Sequence, residues 1–152
     1  MATTGINYGT SVSMTVTNLN SLANSQTAGW QSARVDNTST LANDYQVNVK
    51  LDMANTAAAN DKALYVYVVP WYYDGSTWTV GADGGNATAP SGSEGTYTVG
   101  TTNNLTLAVV LNYVTADQIV YGQFNLSSMF GPSVPDGWKC IVTGKQIGRA
   151  HV

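Results

Sequence analysis

The sequence has little of the side-chain chemistry that most enzymes use. Its 152 residues include one cysteine, Cys140, and one histidine, His151. Cys/His metal clusters and intramolecular disulfides need several such residues, so both are excluded. A Ser-His-Asp or Cys-His catalytic arrangement is nearly excluded for the same reason. Asp52, Asp61 and Asp74 are interpreted as strand-face or turn residues rather than an acid–base pair. We therefore expect no enzyme activity, no catalytic residue, no metal and no cofactor.

Charge and long apolar runs are also scarce. Charged residues make up 10% of the chain, and six Lys+Arg against nine Asp+Glu give a net charge of −3. With no basic run, nothing can neutralise a nucleic-acid backbone. No window approaches the ~18–20 apolar residues of a membrane span, and the first residues lack the basic and apolar regions of a signal peptide. We expect no nucleic-acid partner, no membrane partner and no export by the usual route.

Several short motif matches are better explained without a function. Four N-x-S/T matches, beginning at Asn37, Asn86, Asn104 and Asn125, arise by chance in a chain with 14 Asn, 12 Ser and 19 Thr. Residues 74–76 lack the spacing of a calcium loop, and residues 81–85 lack the Lys and the helix of a phosphate-binding loop. Cys140 lies in an apolar run and is interpreted as a buried small hydrophobe.

Alternation of apolar and polar residues with a period of two is the dominant pattern, and it predicts an all-β protein. The clearest strand is residues 44–53, and residues 62–69 are apolar on both faces, which indicates burial on both sides. Further strands are predicted at residues 11–17, 77–80, 96–99, 105–114, 118–125 and 138–142. Pro70 is expected to end the regular ladder of its strand, because proline cannot donate a hydrogen bond.

Turn signals about every ten residues favour a two-sheet antiparallel β-sandwich of jelly-roll-like topology, in one domain over residues 1–146. Residues 81–95 hold five glycines and are predicted to be a mobile loop that cannot pack. Residues 19–28 and 54–61 have helical leanings, and residues 126–131 suit a single helical turn. The predicted core is the apolar face of the strongest strands: Val47, Val49, Leu51, Leu64, Val66, Leu107 and Val109.

Four aromatic residues around the Asp74-Gly75 turn form the most conspicuous local feature: Trp71, Tyr72, Tyr73 and Trp78. We call these residues the aromatic hairpin. Strand parity places Trp71 and Tyr73 on one face and Tyr72 on the other. The cluster suits an anchor for a protein partner or a platform on which sugar rings stack. It also suits a purely structural hairpin whose aromatics pair across the strands.

The last six residues, 147–152, differ from the rest of the chain. Ile-Gly-Arg-Ala-His-Val is the translation of ATC GGA AGA GCA CAC GTC, which resembles a widely used short-read sequencing adapter. The adapter bases before this stretch are AG, which fits a CAG codon for Gln146. We interpret residues 147–152 as a non-native tail and expect them to form no regular element. The last predicted strand is then truncated near Gln146.

Four stretches of the chain resemble a family of tailed-phage virion proteins. They are SVSMTVTNLNSLANSQTAGWQSARVDNTS, DYQVNVKLDM, ANDKALYVYV with the following DGSTWT, and FNLSSMFGPSVPDGW. The family's late Pro-x-x-Trp is matched by Pro135 to Trp138, and Val142-Thr143-Gly144 loosely matches the strand that follows it. The Thr-Gly-Ala that ends this strand in the family is missing here.

The resemblance implies a non-enzymatic virion component, such as a capsid decoration protein or part of a tail or fibre. It would be made in the bacterial cytoplasm and located in the virion. Its expected partners are other virion proteins, including the major capsid protein, and self-association into a homo-oligomer is compatible with this role. The alternative is a carbohydrate-binding module of a phage fibre that uses Trp71, Tyr72, Tyr73 and Trp78.

Overall fold

The computed structural model describes residues 9, 11, 13–14, 25–53, 63–86, 88–100, 104–114, 118–145 and 150–151. This part of the chain is mostly β, with a single helical turn, α1 (Ser127–Phe130). Its ten strands are β1 (Ser25–Gln31), β2 (Val35–Asp36), β3 (Gln46–Met53), β4 (Ala63–Tyr73), β5 (Trp78–Val80), β6 (Gly95–Thr98), β7 (Thr106–Asn112), β8 (Ile119–Asn125), β9 (Gly137–Lys145) and β10 (Ala150–His151).

The described strands form two antiparallel sheets. The large sheet has seven strands in the order β5-β4-β9-β1-β6, with β7 also paired to β4 and β2 also paired to β9. The small sheet has the order β10-β3-β8. The prediction of an all-β architecture is confirmed. Strand β9 lies inside the large sheet, between β4 and β1, although it is among the last elements in the sequence.

The main core lies between the two sheets. Leu64, Val66 and Val68 project from β4 and meet Leu51 of β3 and Phe124 of β8. These residues follow the period-two pattern of their strands, so Leu51, Leu64 and Val66 are buried as predicted. Val47, Val49 and Val109 are half-buried and pack against the same cluster.

Leu107 contradicts the predicted core, because its side chain is 48% exposed. The register between β4 and β7 shifts at this point: Val66 pairs with Val109, but Tyr67 pairs with Leu107. The extra residue, Ala108, reverses the faces of the strand beyond it, as a β-bulge does. Leu107 is therefore turned away from the core between the sheets, while Leu111 stays buried in it.

Strand β4 continues through Pro70, which corrects the prediction that proline ends the ladder. Pro70 is paired with Trp138 of β9 on one side. On the other side the pairing with β7 ends at Val68 and the pairing with β5 begins at Trp71. Pro70 lies at this change of partner strand, where its missing N–H breaks no continuous ladder, and its carbonyl accepts from the N–H of Gly81 at 2.8 Å.

A second core covers the opposite face of the large sheet, where Val69, Trp71 and Ile141 pack with Tyr97 and Leu105. The loop of residues 81–95 contributes to this side of the molecule. Its Gly84 and Pro90 are buried, and Ala82 packs against the second core. The expectation that this loop cannot pack is wrong, because small residues bring its backbone close to Tyr97, whose hydroxyl donates to the carbonyl of Asp83.

Strand β1 was missed by pattern analysis, and residues 25–28 belong to it rather than to a helix. Gly29 interrupts the alternation of apolar and polar residues in this strand, because glycine has no side chain. A Cβ on Gly29 would lie 2.8 Å from the carbonyl oxygen of Val142 and 2.8 Å from Cγ2 of Thr143. The close approach of β1 and β9 therefore depends on glycine at this position.

The remaining predictions concern the ends of the chain and two short segments. The helical turn at 126–131 is confirmed by α1. Residues 54–61, residues 19–24 and most of the predicted strand 11–17 lie outside the described residues, although Met14 packs against the main core. The expectation of no regular element in residues 147–152 is wrong for Ala150 and His151, which pair with Met53 and Asp52. These two residue pairs form the short edge strand β10.

Candidate partner-binding site

The aromatic hairpin is built on a tight turn between β4 and β5. Asp74 starts the turn, and its Oδ1 accepts hydrogen bonds from the N–H groups of Ser76 at 2.8 Å and Thr77 at 2.7 Å. These bonds from Thr77 and Ser76 lower the pKa of the Asp74 carboxyl. Gly75 has a φ of 96°, which glycine adopts without strain. The turn was predicted from this Asp-Gly pair.

The structure divides the four aromatic side chains of the hairpin into two groups. Trp71 is 7% exposed and belongs to the second core, so it is a structural residue. Tyr72 is 52% exposed and Tyr73 is 37% exposed. The ring of Tyr73 lies 4.8 Å from that of half-buried Trp78, its cross-strand partner. The accessible aromatic surface therefore comes mainly from the two tyrosines.

Arg34 completes this site, and the sequence analysis did not select it. Its guanidinium carbon lies 3.8 Å from the centre of the Trp78 ring and 5.2 Å from that of Trp71. Such positions allow cation–π attraction. No local pattern marks Arg34, because it lies between β1 and β2, far in sequence from the hairpin that it covers.

Asp136 and Gly137, at the start of β9, contact the hairpin. The Oδ2 atom of Asp136 accepts a hydrogen bond of 2.9 Å from the N–H of Tyr73. Gly137 pairs with Trp71, and a Cβ on it would lie 2.8 Å from Cζ3 of Trp78 and 3.0 Å from Cδ of Arg34. Residues 136 and 137 thus form the base of the aromatic hairpin.

Lys139 is a buried cation close to this base. Its side chain is fully buried, and Nζ donates to Oε1 of Gln31 at 2.9 Å, to the carbonyl of Ser93 at 3.0 Å and to the carbonyl of Ser91. Burial, together with the positive charge of Arg34, lowers the pKa of Lys139 to about 8. Lys139 therefore ties the loop of residues 81–95 to the large sheet.

Two other residues considered for a catalytic role, Cys140 and Asp52, lie within strands. Cys140 is buried in the main core, where burial raises the pKa of its thiol to about 12, so thiolate formation is disfavoured. Asp52 lies in β3, and Asp61 lies outside the described residues. Among the described residues, no three His, Cys, Asp or Glu side chains are grouped in a way that could hold a metal ion. No helix in this part of the chain is long and apolar enough to cross a bilayer.

Two open depressions lie along β8, away from the residues of the hairpin. One has a volume of about 450 Å³ and is lined by residues of β3 and β8, among them Asn48 and Tyr121. Tyr121 is 69% exposed, and Gln123 donates to Asn48 on the same sheet face at 3.1 Å. This face is a second accessible surface against which the hairpin can be compared.

Comparison with protein families, with curated proteins and with solved structures gives no match to this chain.

Proposed function

We propose that this chain is a non-enzymatic structural component of a tailed-phage virion, of the capsid decoration or minor structural type. In this proposal it attaches to other virion subunits through the aromatic hairpin. We also propose that the two sheets form a sandwich of jelly-roll-like topology. The proposed location of the protein is the virion. The resemblance of four stretches to virion proteins supports the assignment to this class.

The observation that carries the proposal is the exposure of Tyr72 and Tyr73 on a rigid base. Tyrosine provides a large contact area with few rotatable bonds, and interface hot spots are enriched in it. The base is rigid because Tyr73 is hydrogen-bonded to Asp136 and packed against Trp78. A preorganised contact loses less conformational entropy on binding. On a repeating shell, weak single contacts also gain from multivalency if the chain is oligomeric.

The alternative, a carbohydrate-binding module, is less well supported by this geometry. Sugar rings stack on open aromatic faces, but Trp71 is buried and Arg34 covers a face of Trp78. A glycan would therefore depend on Tyr72 and Tyr73. The two functions share these residues and differ in the partner.

The test is an occupancy measurement on virion parts. Purified chain is added to heads, tails and fibres that lack it, and bound copies are counted for wild type and for a Tyr72→Ala/Tyr73→Ala double variant. We expect saturable binding of the wild type to one of these parts and at least tenfold weaker binding of the double variant, about 1.4 kcal/mol. Trp71→Ala is unsuitable, since it would disrupt the second core.

Tyr121→Ala is the matched control, because Tyr121 is a more exposed tyrosine on the small sheet. Its binding should equal that of the wild type. Loss of binding in this control would show that the contact lies on the small sheet. That result would contradict the assignment of the contact to the aromatic hairpin. Saturable binding of the wild type to a defined oligosaccharide, with no binding to any virion part, would favour the carbohydrate-binding alternative.

A further inference from the structure

Arg34 has no ion-pair partner among the residues that the structure describes. Its Nε is buried and has no hydrogen-bond acceptor. The nearby carboxylates of Asp36 and Asp136 accept hydrogen bonds from other residues, and the charge of Arg34 reaches Asp36 only as a minor contribution to its lowered pKa. Oδ1 of Asp36 accepts from the N–H and the hydroxyl of Thr38, at 2.8 and 2.7 Å, and Oδ2 of Asp136 accepts from Tyr73. A guanidinium has five N–H donors, so this side chain retains hydrogen-bonding capacity.

The position of the guanidinium is set before any ligand arrives. It lies over the Trp78 ring, and its stem passes beside Gly137, where no side chain intervenes. The backbone N–H of Arg34 donates to the carbonyl of Gly92 at 3.0 Å, which holds the start of the side chain. A guanidinium oriented in this way loses little rotamer freedom when it binds an anion.

Lys139 adds a second positive charge to the same region. Its three described acceptors, from Gln31, Ser91 and Ser93, are all neutral. The two cations flank one stretch of the loop, because Arg34 is bonded to Gly92 and Lys139 to Ser91 and Ser93, and the charge of Arg34 contributes to the lowered pKa of Lys139. A negative group beside Arg34 would relieve this repulsion. Because the donors of Lys139 are already occupied, the site offers one guanidinium, which matches a single carboxylate.

We infer that Arg34 is the specificity-determining residue of the aromatic hairpin and binds the carboxylate of an Asp or Glu side chain on the partner protein. This inference deepens the proposed function and rests on it. An acidic side chain suits the site better than an acidic sugar, because neither Trp71 nor Trp78 offers an open ring face beside Arg34. Tyr73, which lies on the same strand face as Trp78, would contact the apolar surroundings of that side chain.

The site is tested with sodium acetate as the probe. Acetate is titrated at constant ionic strength against sodium chloride, and NMR follows the Nε–H signals of Arg34 and Trp78. We expect a saturable shift with acetate and none with chloride. Arg34→Gln should abolish the shift at Trp78, and Arg34→Lys, which keeps the charge but loses the planar fork, should weaken acetate binding. Lys50→Gln, which removes an exposed charge on β3, should leave the titration unchanged.

Three outcomes of the titrations would overturn the inference. The first is the absence of a saturable acetate shift, and the second is an equal shift at Trp78 in folded Arg34→Lys and wild-type protein. The third is binding of glucuronate at least tenfold tighter than acetate, which would assign the site to acidic glycans.

The occupancy assay separates this inference from the proposed function. Arg34→Gln should bind the virion part at least tenfold more weakly than wild type, while Lys50→Gln binds normally. Wild-type binding that is insensitive to Arg34→Gln would overturn the inference and leave the proposed function standing. Absence of wild-type binding to every virion part would overturn the proposed function, and with it the protein partner, even if acetate binds.

Discussion

Gly137 lies beneath the Trp78 ring and the stem of Arg34, so the shape of the candidate site depends on a single missing side chain. Gly137→Ala would place a Cβ 2.8 Å from Cζ3 of Trp78. Because the ring and the guanidinium pack on each other, neither can move without disturbing the other. We expect a loss of about 1–3 kcal/mol in the free energy of unfolding and a change in tryptophan emission, measured in urea melts.

Gly95→Ala provides the control for this substitution. Gly95 also lies in a strand of the large sheet, but a Cβ there would have no atom within 4 Å. The change in unfolding free energy should stay within about 0.5 kcal/mol. Equal losses for the two variants would contradict the packing described for Gly137.

Because the pKa of Lys139 is lowered in the folded protein, we expect the free energy of unfolding to depend on pH. This pKa is about 8 in the folded protein and 10.5 ordinarily. Between these pH values the unfolded chain binds more protons, so the contribution of Lys139 to the free energy of unfolding rises as the pH increases from 8 to 10.5. Below pH 8 both states are protonated, and this contribution stays constant at its lowest value.

The measurement compares wild type with Lys139→Met in urea melts at pH 7, 8.5 and 10. The wild type should gain stability relative to the variant as the pH rises. All other titratable side chains are the same in the two proteins, so the difference in stability reports mainly on Lys139. A difference that stays flat or falls over this range would show that the Lys139 ammonium is not destabilised by burial.

At the scale of the elements, β7 shows where strand periodicity fails. Leu107 and Leu111 have the same parity in the sequence, yet the bulge at Ala108 places them in different environments. Leu111→Ala should lower the free energy of unfolding by about 2–5 kcal/mol, because it leaves a cavity in the main core.

Leu107→Ala is the matched variant on the same strand. Its side chain is 48% exposed, so we expect a loss below about 1 kcal/mol in the same urea melts. A Leu107→Ala loss as large as that of Leu111→Ala would mean that β7 pairs without the bulge. This pair of variants therefore tests the register directly.

In the molecule as a whole, β9 and β10 contribute unequally to the stability of the fold. Strand β9 pairs with β1, β2 and β4, and its residues enter both cores. Strand β10 adds two residue pairs to β3. Ending the chain after residue 146 should cost less than about 1 kcal/mol, whereas ending it after residue 136 should prevent folding.

Far-UV circular dichroism and urea melts of the two truncated chains measure this difference. The chain of residues 1–146 should unfold cooperatively at nearly the wild-type urea concentration. A cooperative transition in residues 1–136 would contradict the central position of β9. Failure of residues 1–146 to fold would show that the pairing of Ala150 and His151 is needed.

The amino-acid sequence is enough to predict the all-β class, the apolar face of β3, the burial of β4 on both sides and the Asp74-Gly75 turn. Each depends on neighbouring residues, whose alternation or turn chemistry is visible locally. The burial of Trp71, the exposure of Leu107 and the contact of Arg34 with Trp78 could not be predicted in this way. The reason is that strand order and register bring together distant residues, such as Lys139 and Gln31, 108 positions apart. Within a regular strand, periodicity specifies which face a side chain occupies, but the pairing of strands decides where a bulge interrupts it and what lies against that face.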